Sequence, residues 1–274
     1  MNTPILLVTF GAMSASAREW YASIEREVRI AFPGREVRWA YMAASLVAQL
    51  KRRENPAETL AEAYARLRGD GFNSVAVQSL HLVPGEKHHE VLGEDAQGLT
   101  TSFGAPLLET TADLDGVVSR LLADLPNDGP VLVVAHRHRR GTRFNTPMDA
   151  LGVSLSKARS NIHLASLDGN EDPVGLERFT ALARSAGRIH VCPFFLVMGK
   201  HMAMEIEGSR PGSLKSRLAV PDFSCGKALG LQPWVRLRFL AKLGAAIARL
   251  EGDPGTAPGR KPTLPWPIPP ASRK

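Results

Sequence analysis

The sequence predicts an α/β fold made of two similar units with parallel sheets, and two observations support this prediction. Short apolar segments alternate with helical patterns over most of the 274 residues. Two of these segments also recur: residues 6–11 resemble residues 132–137, which lie 126 positions later, and residues 77–86 resemble residues 191–200, which lie 114 positions later. Alternating strands and helices favour parallel sheets with right-handed crossovers. The recurrence indicates that two such units follow one another.

Individual elements are predicted from periodicity and from start signals. Ser16 begins a capping-box pattern for the first helix, while Asn55-Pro56 and Asp172-Pro173 each combine a cap with a first-turn proline. A helix at 114–125 is followed by a turn, and the last helix, at about 233–250, is apolar enough to pack back onto the first domain. The predicted strands are residues 4–10, 36–41, 74–79, 130–135, 161–166 and 188–193.

The domain boundary is predicted at the Pro126-Asn127-Asp128-Gly129 turn. This gives an N-terminal α/β domain at residues 1–127 and a C-terminal α/β domain at residues 128–250. Residues 251–274 are rich in proline, glycine and basic side chains, which predicts a flexible tail.

Composition narrows the class of partner. With 44% hydrophobic and 22% charged residues, the chain is typical of a globular protein. It has no apolar run of about 18 residues and no basic, cleavable N-terminal segment, so we expect neither a membrane span nor a signal peptide, and the cytoplasm is the expected compartment. The net charge of +7 favours an anionic metabolite over nucleic acid, since no RNA- or DNA-binding pattern accompanies it. Neither a GxGxxG nor a GxxxxGK[ST] pattern is present, so no nucleotide is expected.

Three histidines fall at or just beyond the carboxyl ends of predicted strands, where open parallel sheets bind ligands. They are His81, His136 and His201. One such histidine is readily explained as a polar loop residue, but three on equivalent loops favour a site. By contrast, His163 and His190 alternate within strands and are interpreted as having a structural or surface role.

Two carboxylates extend this candidate site. Asp168 ends the strand that follows the one carrying His136, and two imidazoles with one carboxylate suit a divalent transition metal. Asp168-Gly169 is equally typical of a plain turn. Glu86 lies on the loop that corresponds to Lys200 in the second unit, and it is either a surface acid or a group that accepts protons from a substrate.

At these residues the chain resembles the class II tetrapyrrole chelatases, most closely the sirohydrochlorin cobaltochelatases of the anaerobic pathway. Residues 77–86 carry the most specific part of the likeness; residues 7–11, 195–201 and 227–230 add to it, and it covers about residues 4–250. The resemblance implies two Rossmann-like domains related by a pseudo-twofold axis, with the macrocycle in the cleft between them.

The resemblance also implies roles for particular residues. His136, Asp168 and His201 correspond to the metal-binding set, with His136 and His201 also accepting pyrrole protons, and Glu86 corresponds to an acid that relays protons. The residues expected to contact the macrocycle are Phe10, His81, Arg137, His138 and Lys200. Neutral imidazoles bind Co²⁺ or Fe²⁺ reversibly and accept protons near neutral pH.

Several positions differ from the family pattern. Arg137 and His138 replace a glycine and a threonine, Lys200 replaces an aspartate, and Asp168 replaces a glutamate. Two cations beside a metal site repel a free divalent ion but attract the carboxylates of the macrocycle. The sequence therefore supports tetrapyrrole binding more strongly than cobalt insertion.

Three hypotheses follow from the sequence. The first is insertion of a divalent metal, Co²⁺ before Fe²⁺ or Ni²⁺, into sirohydrochlorin or a related tetrapyrrole in cobalamin biosynthesis. The second is a non-catalytic tetrapyrrole- or haem-binding protein, or a metal-removing relative, with His136, His138 or His201 as axial ligand. The third is a metal-storage relative. The oligomeric state stays open, with a homo-oligomer as one option.

Overall fold

The computed structural model describes residues 2–53, 56–137, 142–167 and 173–252, with the backbone alone at positions 142, 173, 174, 200 and 201. The strands are β1 (Ile5–Thr9), β2 (Val37–Tyr41), β3 (Ser74–Ser79), β4 (Thr100–Gly104), β5 (Val131–Ala135), β6 (Ile162–Ser166), β7 (Arg188–Pro193) and β8 (Asp222–Cys225). The α-helices are α1 (Ala15–Ala31), α2 (Ala44–Lys51), α3 (Leu60–Gly69), α4 (Glu86–Gly93), α5 (Thr111–Asp124), α6 (Thr146–Ala158), α7 (Pro173–Ala186), α8 (Lys200–Glu207), α9 (Leu214–Leu218) and α10 (Pro233–Leu250). Short 3₁₀ turns span Thr142–Asn145 and Leu229–Leu231.

The strands form two four-stranded sheets of the same topology. Their orders are β2-β1-β3-β4 and β6-β5-β7-β8, and every neighbouring pair is parallel. The central strands β1 and β5 are buried at every residue, which is expected of parallel strands with helices on both faces. The predicted α/β class with parallel sheets is confirmed.

Matching hydrogen bonds show that the two sheets share one register. The backbone N–H of Leu80 donates to Val8 at 2.8 Å, and that of Phe194 donates to Val134 at 2.8 Å. Val134 lies 126 positions after Val8, and Phe194 lies 114 positions after Leu80. These are the two offsets of the sequence recurrence. The recurrence therefore reports a structural repeat.

The compact units do not follow the order of the chain. One unit contains the residues up to Leu107 together with α10, and the other contains Leu108–Gln232. Helix α10 packs on β3 and β4, while α5 packs on α6. The return of the last helix to the first sheet is confirmed, whereas the assignment of α5 differs from the boundary predicted at residues 127/128.

Six of the eight strands were predicted to within one residue at each end, and β4 and β8 were missed. Both are edge strands, at the same place in the two sheet orders. β4 reads Thr-Thr-Ser-Phe-Gly and β8 is four residues long. β2 and β6 are edge strands as well but keep apolar runs, whereas β4 and β8 are too polar or too short to show one.

The predicted helix starts need two corrections. The N-cap of α1 is Ser14, whose hydroxyl accepts from the Ala17 N–H at 3.1 Å, so the box expected from Ser16 is wrong. Helix α3 begins after Thr59, which forms a capping box with Glu62, and Pro56 lies in the preceding loop. Helix α7 begins at Pro173 as expected, while Asn55 and Asp172 lie outside the described residues. In each correction another hydroxyl nearby supplied the cap.

Gly11 follows β1 in a conformation that other residues rarely adopt. Its φ is +105°, and a Cβ there would lie 2.2 Å from Leu46 Cδ2 and 3.2 Å from Tyr41 Cδ1. Gly71 also has a positive φ, +87°, but a Cβ there would meet open space. Backbone strain applies at both positions, while the steric clash applies at Gly11 alone.

We therefore expect Gly11→Ala to lower the free energy of unfolding by about 2–4 kcal/mol, because strain and overpacking add. The matched control Gly71→Ala is expected to cost about 1 kcal/mol, from strain alone. Urea unfolding followed by circular dichroism measures both values. Equal costs at the two positions would show that the contact with Leu46 has no energetic weight.

Candidate functional site

His136 lies directly after β5 and is exposed to solvent. Its ring packs edge-on against Phe195, which follows β7, with 5.0 Å between the ring centroids. β5 and β7 are neighbours in the sheet, so the two residues meet at its carboxyl edge. An aromatic ring against one side of the imidazole restricts its orientation and leaves the rest accessible.

Arg137 is tied to the same unit by an ion pair. Its guanidinium donates to the carboxylate of Asp149 on α6. Burial raises the pKa of Asp149, and the positive charge of Arg137 acts in the opposite direction. The charge of Arg137 is thus partly compensated, which weakens the repulsion of a cation at His136 that the sequence alone suggested.

Three polar residues form a network where β3 ends. The Ser79 hydroxyl is 2.7 Å from Nδ1 of His81, in the following loop, and 2.8 Å from Nδ1 of His88, on α4. Ser79 and His88 are essentially fully buried, at 0% and 1% exposure. The backbone carbonyl of His81 accepts from the N–H of Leu107 at 3.0 Å, which fixes the loop.

Both imidazoles of this network are neutral at physiological pH. Burial lowers the pKa of His81 to about 4. Burial, followed by the proximity of His81 and His89, lowers the pKa of His88 to about 3. Residues of this kind act through hydrogen bonds and not through charge.

The first residues of α4 and α8 occupy equivalent positions in the two units and carry charges of opposite sign. Each helix has a glycine N-cap in extended conformation, Gly85 for α4 and Gly199 for α8. The next residue is Glu86 in α4, an exposed acid, and Lys200 in α8. A helix N-terminus carries partial positive charge. It therefore compensates an acid at this position, and at Lys200 it adds to the cation.

Phe10 and His81 occupy, in the first unit, the places of His136 and Phe195 in the second. Phe10 directly follows β1 as His136 directly follows β5, 126 positions apart, and Phe10 is 51% exposed. The backbone carbonyl of His81 accepts from the N–H of Leu107, and the backbone carbonyl of Phe195 accepts from the N–H of Leu229. Each unit thus carries one phenylalanine and one histidine at these two places, in exchanged order.

Several predicted site residues are not described. His138 and Asp168 lie outside the described residues, and for Lys200 and His201 the backbone alone is described, in the first turn of α8. In the described part of the chain no group of three or more His, Cys, Asp or Glu side chains is arranged to hold a metal ion. Across that same part, no helix is long and apolar enough to cross a membrane.

Sequence reasoning missed the hydrogen bonds of Ser79 and His88 at the end of β3. Neither a serine at the end of a strand nor a histidine at the third position of a helix indicates a function by itself. The available signal was the spacing: both histidines lie within nine positions of a buried strand end that carries a hydroxyl. The structural interpretation of His163 and His190 agrees with their contacts, a stacked ring at Phe179 and a 3.0 Å bond to Ser224.

Two solved structures share this arrangement of sheets. SirB from Bacillus subtilis, solved with Fe³⁺, matches with a TM-score of 0.64 and 16% identity over 92% of this chain and 98% of that one. CbiX, described as the terminal enzyme for biosynthesis of sirohaem in denitrifying bacteria, matches with a TM-score of 0.53 and 17% identity over 89% of this chain and 99% of that one. At these identities the likeness establishes a chelatase-type fold.

The family follows from the sequence match. The chain belongs to the cobalt chelatase (CbiK) family, which it matches over residues 3–248. It is 26% identical over 235 residues to the sirohydrochlorin cobaltochelatase CbiKC of Nitratidesulfovibrio vulgaris, covering 81% of each chain. It is 22% identical over 258 residues to the sirohydrochlorin cobaltochelatase of Salmonella typhimurium, covering 90% of this chain and 97% of that one. The resemblance to the tetrapyrrole chelatases is confirmed, and the chain is a metal chelatase.

The buried His88 and the half-buried His81 make folding sensitive to acid. In the unfolded chain both take up protons below about pH 6.5, whereas the folded protein binds them only near pH 4 and pH 3. Between about pH 6.5 and these lower values, the folded state therefore binds fewer protons than the unfolded state. Stability is fully present above about pH 6.5 and falls as the pH decreases, by up to about 1.4 kcal/mol per pH unit for each histidine.

We expect His88→Asn to make this dependence shallower, because one of the two imidazoles with a lowered pKa is removed. Urea unfolding of the wild type and the variant at pH 7, 6 and 5 measures the slope, and the pH 7 values correct for any direct loss of stability. A variant with the slope of the wild type would contradict the assignment of a buried neutral His88.

Proposed function

We propose that this chelatase inserts a divalent metal ion, with Co²⁺ as first candidate, into sirohydrochlorin or a closely related tetrapyrrole. The observation that carries the proposal is the accessible His136, oriented by Phe195 at the carboxyl edge of a parallel sheet, in a chain of the cobalt chelatase family. An imidazole lone pair binds Co²⁺, Fe²⁺ and Ni²⁺. His136 is therefore the first ligand that the incoming metal is proposed to meet.

The proposed reaction exchanges two protons for one metal ion. The metal is a substrate that arrives as a hydrated ion. His136, Asp168 and His201 are proposed to replace bound water molecules as its ligands, and the ion then passes to the four nitrogens of the macrocycle. The two inner N–H groups lose their protons in the same event. Imidazoles that release the metal accept them, and Glu86 is the proposed carrier that passes them to water.

Basic residues support an anionic macrocycle as the second substrate. Sirohydrochlorin carries several carboxylates, and the net charge of +7 favours their approach. Lys200, as the first residue of α8, adds to the partial positive charge of a helix N-terminus. Phe10 is proposed to contribute an exposed apolar surface for the ring.

An anaerobic absorbance time course with sirohydrochlorin and Co²⁺ tests the proposal. We expect a rate above the uncatalysed reaction that His136→Ala lowers by at least about a hundredfold, since a metal ligand is lost. The matched control is His190→Ala, which removes a β7 histidine bonded to Ser224 and should leave the rate within twofold.

Other outcomes assign other functions. Macrocycle binding without acceleration would refute the insertase and favour a tetrapyrrole-binding protein. A Soret shift with haem that disappears in His136→Ala would then identify an axial ligand. An unchanged rate in His136→Ala would remove this residue from the metal path.

The ion pair between Arg137 and Asp149 yields a separate prediction. Asp149→Asn leaves the guanidinium uncompensated near His136, so the KM for Co²⁺ is expected to rise severalfold, and the effect should diminish at high salt. Asp128→Asn is the control, because it breaks a similar pair with Arg188 at 2.8 Å in the same unit. A rise of equal size in both variants would point to a general loss of negative charge.

A further inference from the structure

The Ser79 hydroxyl couples the two histidines that it touches. A hydroxyl has one proton and two lone pairs, so when it lies between two Nδ1 atoms, at 2.7 and 2.8 Å, it can donate to only one of them. A neutral imidazole carries its proton on one nitrogen only. When the hydroxyl proton is used within this network, His81 and His88 are in opposite tautomers, with the proton on Nδ1 in one ring and on Nε2 in the other.

Among the residues that the structure describes, the outer nitrogens of this pair have no hydrogen-bond partner. Nε2 of His81 and Nε2 of His88 are both buried, and neither makes a hydrogen bond in the part of the chain that the structure describes. A buried nitrogen without a partner costs about 1–3 kcal/mol, so the arrangement calls for a function.

We infer that Ser79 and His88 are positioning residues that hold His81 in the tautomer whose Nε2 accepts a hydrogen bond from a pyrrole N–H of the macrocycle. The inference rests on the proposed function, since the free macrocycle presents N–H donors and an N–H on Nε2 would oppose them. In this state His81 donates to Ser79, Ser79 donates to His88, and His88 keeps its proton on Nε2.

The place of His81 in the fold supports this role. It is the equivalent of Phe195, whose ring packs on the proposed metal ligand His136 in the other unit. Its neutrality supports a hydrogen bond in preference to an ion pair. Nε2 is covered in this structure, so macrocycle binding has to uncover it, and the NMR signals of His81 are expected to report the change.

The same bond anchors α4. His88 is two residues beyond Glu86, and its link to Ser79 ties the first turn of α4 to the end of β3. Loss of the link is therefore expected to misplace Glu86 as well as His81. Small misplacements of reacting groups cost up to about a hundredfold in rate.

The kinetic test compares variants with and without the hydrogen bond. Ser79→Ala and His88→Leu should lower kcat for cobalt insertion by about ten- to a hundredfold with KM for the macrocycle changed less than threefold. His88→Asn places an amide where Nδ1 was and should recover most of the loss. Ser224→Ala removes the serine–histidine bond to His190 in the other unit and should leave kcat unchanged.

The tautomer test uses nitrogen NMR of ¹⁵N-histidine-labelled protein, without and with sirohydrochlorin. We expect opposite tautomers for His81 and His88 in the wild type, loss of that opposition in Ser79→Ala, and a shift of His81 Nε2 on macrocycle addition. Circular dichroism confirms that each variant is folded.

The outcomes separate this inference from the proposed function. Without cobalt insertion by the wild type the proposed function fails, while the spectra still show whether a bound macrocycle reaches His81. Identical tautomers in the wild type overturn the inference. So do an unshifted His81 on macrocycle binding, or folded Ser79→Ala and His88→Leu proteins with wild-type kcat.

Discussion

The pairing of each central strand with the third strand of its unit is the constraint on which the candidate site depends. The bonds from Leu80 to Val8 and from Phe194 to Val134, both 2.8 Å, bring the carboxyl ends of these strands side by side. Whatever follows the strands is then placed at one edge of the sheet. This brings Phe195 against His136, and it gives Phe10 and His81 the equivalent places in the first unit.

A common backbone carries different chemistry in the two units. In one, the histidine directly follows the first strand and is exposed. In the other, the histidine follows the third strand, forms a hydrogen bond with a buried serine, and has a pKa that is lowered by burial. The first environment leaves an imidazole available to a metal. The second fixes a neutral imidazole that is suited to hydrogen bonding. Environment, more than residue type, separates the two roles.

Local charge is also set by packing. The positive charge of Arg137 alone would repel a metal cation, but Asp149 on α6 compensates this charge. Glu86 and Lys200 begin equivalent helices with opposite signs, so one helix end is neutralised and the other strengthened. A chelatase has to admit a cation and a polyanionic ring, and a division of charge of this kind is compatible with both.

The sequence by itself determined the alternation of strands and helices, the internal repeat, and the family to which the chain belongs, because apolar periodicity and the loop motif are local signals. It also identified His81 and His136 as strand-end residues. Edge strands β4 and β8, the packing of α5 on α6, the pairing of Arg137 with Asp149 and the Ser79–His81–His88 network were decided by tertiary structure alone. Each of these depends on contacts between residues that are distant in the sequence. Burial and hydrogen-bond partners are set by those contacts and cannot be read from the local sequence.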